Sequence, residues 1–555
     1  MQGSNMDNKM VAAHFKLLAD LMELHGEAGF KSGAYHNAYR ILKNFDIPLE
    51  TLNTKELEDI PGIGKAIAGK IIELVHQNSF PLLEKYLALT PPGVVEMLQL
   101  KGIGPKKIAL LWKELGVESI GELYYACTEN RLTAISGFGE KTQENILQQL
   151  LFLQQSKGQL LYAQAEPVIL EILSVLKNKF PNHFIEQTGE VRRKNNTVSV
   201  LDIITDLPEK EIQTITEFIT LLPGSNKLAY KHESGIAVQF HLTNSENAVM
   251  DWFQTTGTEE HTEKILTKVG HIKGFPSEES LYLSAGFPYM PPEVRENKNE
   301  WSWVVSNEKL ITTADIKGIL HAHSTYSDGA SSLKEMSIYA KDNGFEYLGI
   351  SDHSQSAFYA NGLKESDILR QHAEIDALNQ SLSPFIIYKG IESDILNDGR
   401  LDYPEEILKT FDFVIASVHS NLKMDMEKAT RRLISAIENP FTTMLGHATG
   451  RLLLSRPGYP IDHEKIIDAC AANGVVIELN ANPYRLDIDW SWIPRCIEKG
   501  VKIAVNPDAH HLKGILDIRY GVISARKACL TPSHCLNTLG AIEIGTFFKA
   551  KKSAF

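Results

Sequence analysis

Seven short apolar runs recur in order through the C-terminal part of the chain: IKGILHAH, EYLGISDH, FIIYKGIES, FDFVIASVH, TTMLGHA, GVVIELNAN and VKIAVNPDAH. Each is separated from the next by a helix-like stretch, and no other feature narrows the possible folds so far. Strand–helix units in series imply a parallel sheet, and seven of them are enough to close a barrel. The ligand-type residues fall at the carboxyl ends of these runs. His321 and His323 end the first, His353 the second, Glu392 the third, His419 the fourth, His447 the fifth, and Asp508 with His510 the seventh. Strand carboxyl ends of a β/α barrel converge on one face, so these residues should meet there. Asp328 follows the first pair in the loop HAHSTYSDG.

A lone histidine is more often a satisfied core or loop residue than a ligand. Random placement, however, would not put ligand-type residues at six strand ends. Nor would it give His-x-His and Asp-x-His pairs whose period-2 spacing aims both side chains at one face. Nine ligands of mixed imidazole and carboxylate chemistry are too many for one zinc and imply two or three divalent ions. Manganese or zinc is expected, and magnesium is admitted. Clustered divalent ions suit phosphoester hydrolysis, because they activate water and neutralise charge on the phosphoryl oxygens.

The motifs HAHSTYSDG, SDHS, GIESDI, SVHS, GHATGRLL and NPDAHH resemble the PHP (polymerase and histidinol phosphatase) family. The resemblance implies one ion on His321, His323, Glu392 and Asp508. It implies a second on Glu392, His419 and His447, and a third on Asp328, His353 and His510. Arg451 and Arg485 lie just past the fifth and sixth runs, where a guanidinium could hold a phosphate bidentately; an ordinary surface arginine is the alternative.

At the other end of the chain, IPGIGKAIAGKI (60–71), LKGIGPKKIALL (100–111) and ISGFGEKTQENI (135–146) share one design, a Gly-x-Gly turn opening a helix. Gly62 and Gly64, Gly102 and Gly104, and Gly137 and Gly139 allow tight turns whose backbone N–H groups and helix N-termini can hold a DNA phosphate without reading bases. Lys65, Lys106 and Lys107 would add local charge. That charge must be local, since the whole chain carries a formal net charge of −13.

In order, these parts resemble the bacterial family X DNA polymerases. YHNAYRILKNF (35–45) and GIGKAIAGKI (62–71) look like that family's 5′-phosphate-binding domain, and Lys70 matches the lysine that forms a Schiff base in lyase-active relatives. The resemblance implies a nucleotidyltransferase palm, whose two-metal chemistry needs three carboxylates, two of them at Asp-x-Asp spacing. Where the family has Gly-Ser, Arg-Arg and Gly-Asp-x-Asp, this chain has Gly189-Glu190, Arg192-Arg193, and then Val200 and Asp202. The third carboxylate belongs in the strand GIAVQFHL, where His241 stands. Templated synthesis is therefore expected to be absent or severely impaired, with Glu190 and Glu186 conceivable but misplaced substitutes.

The expected fold is multidomain: an all-α helix-hairpin-helix front end, an α+β nucleotidyltransferase-like palm and thumb, and an α/β PHP domain built as a seven-stranded β/α barrel. The expected boundaries are 1–90 and 91–155 for two helix-hairpin-helix domains, 156–305 for palm and thumb, and 306–555 for the barrel. EKEIQTITEFITLL reads as a helix, and a polar linker is expected near 291–315, opening at Pro291-Pro292. Five cysteines without a Cys-x-x-Cys pair suit free thiols in a reducing compartment. With no long apolar run and no signal-type segment, a cytoplasmic protein with no membrane partner is expected.

The leading functional expectation is a DNA-repair nuclease, a metal-dependent 3′→5′ exonuclease acting on single-stranded, gapped or damaged ends, with activity as an abasic-site endonuclease or 3′-phosphatase also open. The alternatives are an active family X polymerase with PHP proofreading, a non-catalytic DNA-binding scaffold, and a small-molecule phosphatase.

Overall fold

The computed structural model describes residues 7–27, 29–154, 158–214, 219–221, 228–270 and 274–553. Two compact units emerge. Met1–Cys127 with Ile135–Leu150 form the first, and Thr128–Ala134 with Leu151–Phe555 the second.

The first unit is helical. Its Gly-x-Gly turns open helices α1 (Lys65–Gln77), α2 (Pro105–Leu115) and α3 (Glu140–Gln154). Gly62, Gly102 and Gly137 have φ of 91°, 83° and 89°, a region that side chains disfavour, so the turns require glycine there. The residues between each glycine pair, Ile63, Ile103 and Phe138, are buried and anchor the turns.

In the second unit a five-stranded sheet comes first: β1 (Ile185–Thr188), β2 (Val200–Thr205), β3 (Ile219–Leu221), β4 (Ala229–His232) and β5 (Ala237–Leu242), in the order β1-β2-β5-β4-β3. The segment expected as one helix over EKEIQTITEFITLL is instead a single turn, Glu209–Ile212, followed by β3 on the sheet edge. Residues 215–218 and Leu222 of that segment lie outside the described residues. The β-branched residues that follow the turn favour the pleated edge, where β3 pairs with β4, over a helix that loses their χ1 freedom.

The expected linker is also corrected. Pro292–Val294 form a 3₁₀ turn and Glu300–Ser306 a helix, while Glu293, Val294, Arg295, Glu300 and Ile311 are buried. Arg295 stacks near Phe253, Tyr282 and Tyr289 and shares Glu278 with Arg192. The buried charged residues of this segment find partners elsewhere in the fold, Glu293 in Arg526, Arg295 in Glu278 and Glu300 in His261, so it joins the palm side to the barrel. Lys527 does the same from the other side, donating to the Arg193 carbonyl and to Glu296.

The barrel strands are β6 (Gly318–Ile319), β7 (Tyr347–Ile350), β8 (Ile386–Asp394), β9 (Phe413–Ser417), β10 (Met444–Leu445), β11 (Val476–Asn480) and β12 (Ile503–Asn506). All pairs are parallel and run in sequence order, as the seven runs predict. The ends meet through a bridge from Ala322 to Ala509 and the bond from Leu320 N–H to Asn506 Oδ1 (3.0 Å). Inside, the Phe413 ring lies so close to Gly349 and Gly390 that a Cβ at either would sit within 2.6 Å of it. The C-terminal helix Ala541–Ser553 lays Phe548 on Phe413, with ring centres 5.1 Å apart, and closes the end opposite the ligands. Among the described residues no helix is long and apolar enough to cross a membrane. The five cysteines are free and buried.

Candidate metal centre

Eight of the predicted ligands lie at or just past the carboxyl ends of their strands, Asp328 lies on the loop after the first strand, and the barrel brings all nine together. His323 Nε2 is 3.0 Å from Asp508 Oδ1, and His321 Nε2 is 3.3 Å from the same oxygen. Glu392 sits centrally, with Oε1 2.9 Å from His447 Nε2, 3.1 Å from His419 Nε2 and 3.4 Å from His321 Nε2. Its Oε2 is 3.0 Å from His353 Nδ1. Asp328 holds the far side, 3.4 Å from both His353 Nε2 and His510 Nε2. A carboxylate with one oxygen toward each group of imidazoles is the arrangement a bridging ligand needs.

Four sets of ligand atoms lie close enough to share an ion: His323, Asp328, His353 and His510; His321, His323 and Asp508; His353, Glu392 and His419; and Asp508 and His510 with Glu129, which was not among the predicted ligands. They overlap the expected sets, with His353 taking a place beside Glu392 and His419 and with His447 reaching Glu392 directly. Every ligand except Asp508 also has a buried nitrogen or oxygen with no hydrogen-bond partner among the described residues. Unpaired buried polar atoms are costly and rare, and here all but His447 Nδ1 lie within 4 Å of another ligand's nitrogen or oxygen, so the donor set fits divalent ions. Such ions would supply Lewis acidity and charge neutralisation at a phosphoryl group.

The electrostatics agree. Burial opposes the charge of Asp508, Glu392 and Asp328, yet the surrounding imidazoles hold all three carboxyls well below the usual range. Burial, with His510 and His353 beside it, pushes His323 down to about 3, leaving a neutral imidazole suited to coordination. Asp508 has φ of 54°, a left-handed conformation uncommon for a residue with a side chain, and such strain clusters at functional sites.

Several residues that position the ligands were not read from the sequence. Glu478 accepts from His321 Nδ1 at 2.8 Å and from the His447 backbone N–H at 2.9 Å. Asp394 pairs with His419 Nδ1 at 2.6 Å. Both orient a ligand imidazole through its second nitrogen. Glu478 was legible as the one charged residue in the apolar run GVVIELNAN, and Asp394 as the same-face neighbour of Glu392. Glu478→Gln should weaken manganese binding by roughly 10–100-fold with little change in thermal unfolding. Titration of the full chain with manganese checks this, and unchanged affinity would assign Glu478 to the core alone.

Arg485 is buried, with Nε 3.7 Å from Asp508 Oδ2, so it reaches the centre. Arg451 is drawn elsewhere. It donates to the Arg485 carbonyl (2.9 Å), to Asp489 (2.7 Å) and to the Leu486 carbonyl, and so clamps the loop that carries Arg485.

In the palm sheet, His241 Nε2 lies 2.8 Å from Asp202 Oδ1. Gly189 approaches Asp202 so closely that a Cβ would meet Oδ2 at 2.3 Å. Glu190 binds the backbone and hydroxyl of Ser199, and Glu186 binds Lys177. Val200 stands on β2 next to these groups without a donor atom. Arg192 makes a bidentate pair with Glu278, and Arg193 donates to the Thr256 carbonyl and to Glu296. In the first unit Lys65 and Lys106 are exposed beside their turns, and Lys107 lies 5.2 Å over the Phe138 ring. Lys70 is half-buried on α1 and donates to the Ala66 carbonyl.

A near-closed seven-stranded β/α barrel with histidines and carboxylates gathered at its strand ends is the architecture of a PHP domain, and the description of that family matches residues 320–482. A helix-hairpin-helix domain matches residues 6–80, and a SAM-like helix-hairpin-helix tandem matches 94–150. The chain is 34% identical over 573 aligned positions to the "DNA polymerase/3'-5' exonuclease PolX" of Bacillus subtilis (strain 168), covering 98% of this chain and all of that one. It is also 30% identical over 201 residues to the "Probable phosphatase TTE1963" of Caldanaerobacter subterraneus subsp. tengcongensis, covering 34% of this chain and 74% of the relative. A "Probable phosphatase" of Acetivibrio thermocellus is likewise 30% identical over 199 residues, covering 34% of this chain and 78% of the relative. The chain belongs to the family X DNA polymerases with helix-hairpin-helix domains and a C-terminal PHP domain. It is an enzyme of a polymerase, nuclease and phosphoesterase family, and its helix-hairpin-helix domains make DNA its partner.

Proposed function

We propose that this protein is a DNA-repair nuclease whose PHP domain hydrolyses phosphodiesters with manganese or zinc, chiefly 3′→5′ from single-stranded, gapped or blocked ends. The observation that carries this reading is the convergence of nine buried ligands, with unpaired donor atoms facing inward, in a chain whose other domains bind DNA. The chain's own contribution is to hold the ions through these ligands, to keep His321 and His419 oriented through Glu478 and Asp394, and to offer Arg485 to a phosphate.

The palm supports binding without synthesis. Asp202 is the one carboxylate in the expected position, and His241 already occupies it. The two substitute carboxylates are engaged by Ser199 and Lys177, while Arg192 and Arg193 are committed to protein partners. Lys70 would serve as a lyase nucleophile only if an abasic sugar reached α1. A cytoplasmic location follows from a DNA substrate.

End-labelled single-stranded, gapped and abasic DNA, incubated with manganese and resolved by length, tests the reading. A ladder shortening from the 3′ end is expected. Release of phosphate alone would replace the nuclease with a phosphatase, and primer extension that depends on Asp202 would restore the polymerase.

A further inference from the structure

We propose that Glu129 is a built-in competitor of the substrate phosphate. Its carboxylate seats on the face of the metal centre formed by Asp508 and His510 and must withdraw before a phosphodiester can bind there. The inference rests on the phosphodiesterase reading of that centre.

Residues Thr128–Ala134 pack with the second unit, although the chain on either side of them belongs to the first. Glu129 is only 1% exposed, and neither of its carboxylate oxygens has a hydrogen-bond partner among the described residues. One of those oxygens lies within 4.8 Å of ligand atoms of both Asp508 and His510. The side chain is held in place by its surroundings. Asn130, at φ of 55°, reverses the chain, and Thr133 Oγ1 donates to the Asn130 carbonyl at 2.7 Å. Leu132 is fully buried, and Arg131 forms an ion pair with Glu129 while lying 5.1 Å from the centre of the Tyr359 ring.

Burial, with Asp508 beside it, opposes the charge of the Glu129 carboxylate, and Arg131, His510 and Arg485 offset that only in part. Divalent ions reverse the sign, because they turn a cluster of carboxylates into a seat for one more anion. A phosphodiester presents the same chemistry, a hard anionic oxygen with a formal charge of about −1, so the two compete for one position. The barrel supplies nine ligands without Glu129, from its own strand ends and loops. The tenth group, a fourth carboxylate, comes from outside the barrel and covers the face that a substrate has to reach. That placement makes it an occupant of the substrate's position, with no need for it as a resident ligand.

The test uses the full-length chain loaded with manganese, with inorganic phosphate as the binding probe and bis(p-nitrophenyl) phosphate as the hydrolysis probe. If the seat is filled about nine-tenths of the time, removing the carboxylate should raise apparent phosphate affinity about tenfold. Glu129→Gln should therefore tighten phosphate binding by calorimetry and lower the KM for the diester, with manganese stoichiometry retained. Glu129→Asp keeps the charge but shortens the reach, and should show a smaller change in the same direction. Unchanged phosphate binding in both variants would overturn the proposal and leave Glu129 as a partner of Arg131. Loss of manganese with loss of hydrolysis would also overturn it, by making Glu129 a resident ligand. If Glu129→Gln does not fold, Glu129→Asp alone decides by the same readings. Failure of the wild-type protein to hydrolyse the diester at all would instead strike the phosphodiesterase reading, which separates the two failures.

Discussion

Asp508→Ala is expected to lower metal-dependent hydrolysis by about a thousandfold or more. Two imidazoles, His321 and His323, approach Asp508 Oδ1 at 3.3 and 3.0 Å, and Asn480 donates to its other oxygen at 3.1 Å. Removing the carboxylate takes away a charged ligand and leaves Glu392 as the acidic group facing the Nε2 atoms of both imidazoles, at 3.4 and 3.6 Å. Several kcal/mol of charge stabilisation at a phosphoryl centre corresponds to roughly three factors of ten in rate. Manganese stoichiometry should fall with activity, while far-ultraviolet circular dichroism stays unchanged. His353→Ala should behave alike, because His353 lies between Asp328 and Glu392. Cleavage that survives in clean preparations of both variants would place the active site elsewhere.

The second large effect is on stability. Glu278→Ala should destabilise the palm side by about 3–5 kcal/mol, since it strands two buried guanidiniums that share one carboxylate. Glu278 accepts from Arg295 at 2.6 and 2.9 Å and from Arg192 at 2.9 and 2.7 Å. Burial resists its charge, but the bonds and fields of Arg295 and Arg192 outweigh that and hold its carboxyl at about 2, below the ordinary 4.5. A depressed carboxyl stabilises the fold above its unfolded pKa and loses that contribution as pH falls through the folded value. The network should therefore weaken progressively between about pH 4.5 and pH 2, by up to about 3 kcal/mol. Urea unfolding of wild type and Glu278→Gln across that window checks it. The glutamine keeps the shape without the charge, so its stability should vary less with pH than that of the wild type.

The barrel was legible because its signal is periodic and redundant: seven apolar runs match seven strands, and every ligand but Asp328 is tied to a strand end. The centre was legible for the same reason, as one geometric rule placed His321, His353, Glu392, His419, His447 and Asp508 together. The segment 291–315 was misread because polarity in sequence looks like exposure. Glu293, Arg295 and Glu300 are charged and yet buried, made tolerable by partners far along the chain such as Arg526 and His261. The β3 edge was misread because isoleucines and threonines at mixed spacing fit either period until a neighbouring strand decides. Glu129 had no sequence signal at all. Nothing in TENRL distinguishes a surface glutamate from one buried among metal ligands, since only the fold brings residue 129 near residue 508.

Phe413, with Phe548 stacked beneath it, gives the barrel a solid floor. A strand cannot be threaded through such a well, as it could through an open ring. Each nucleotide cut from a chain end would have to leave by the mouth the rest of the strand still occupies. Product departure and strand advance would then share a single doorway, and the pace of digestion would be set by traffic at the rim as much as by hydrolysis at the ions.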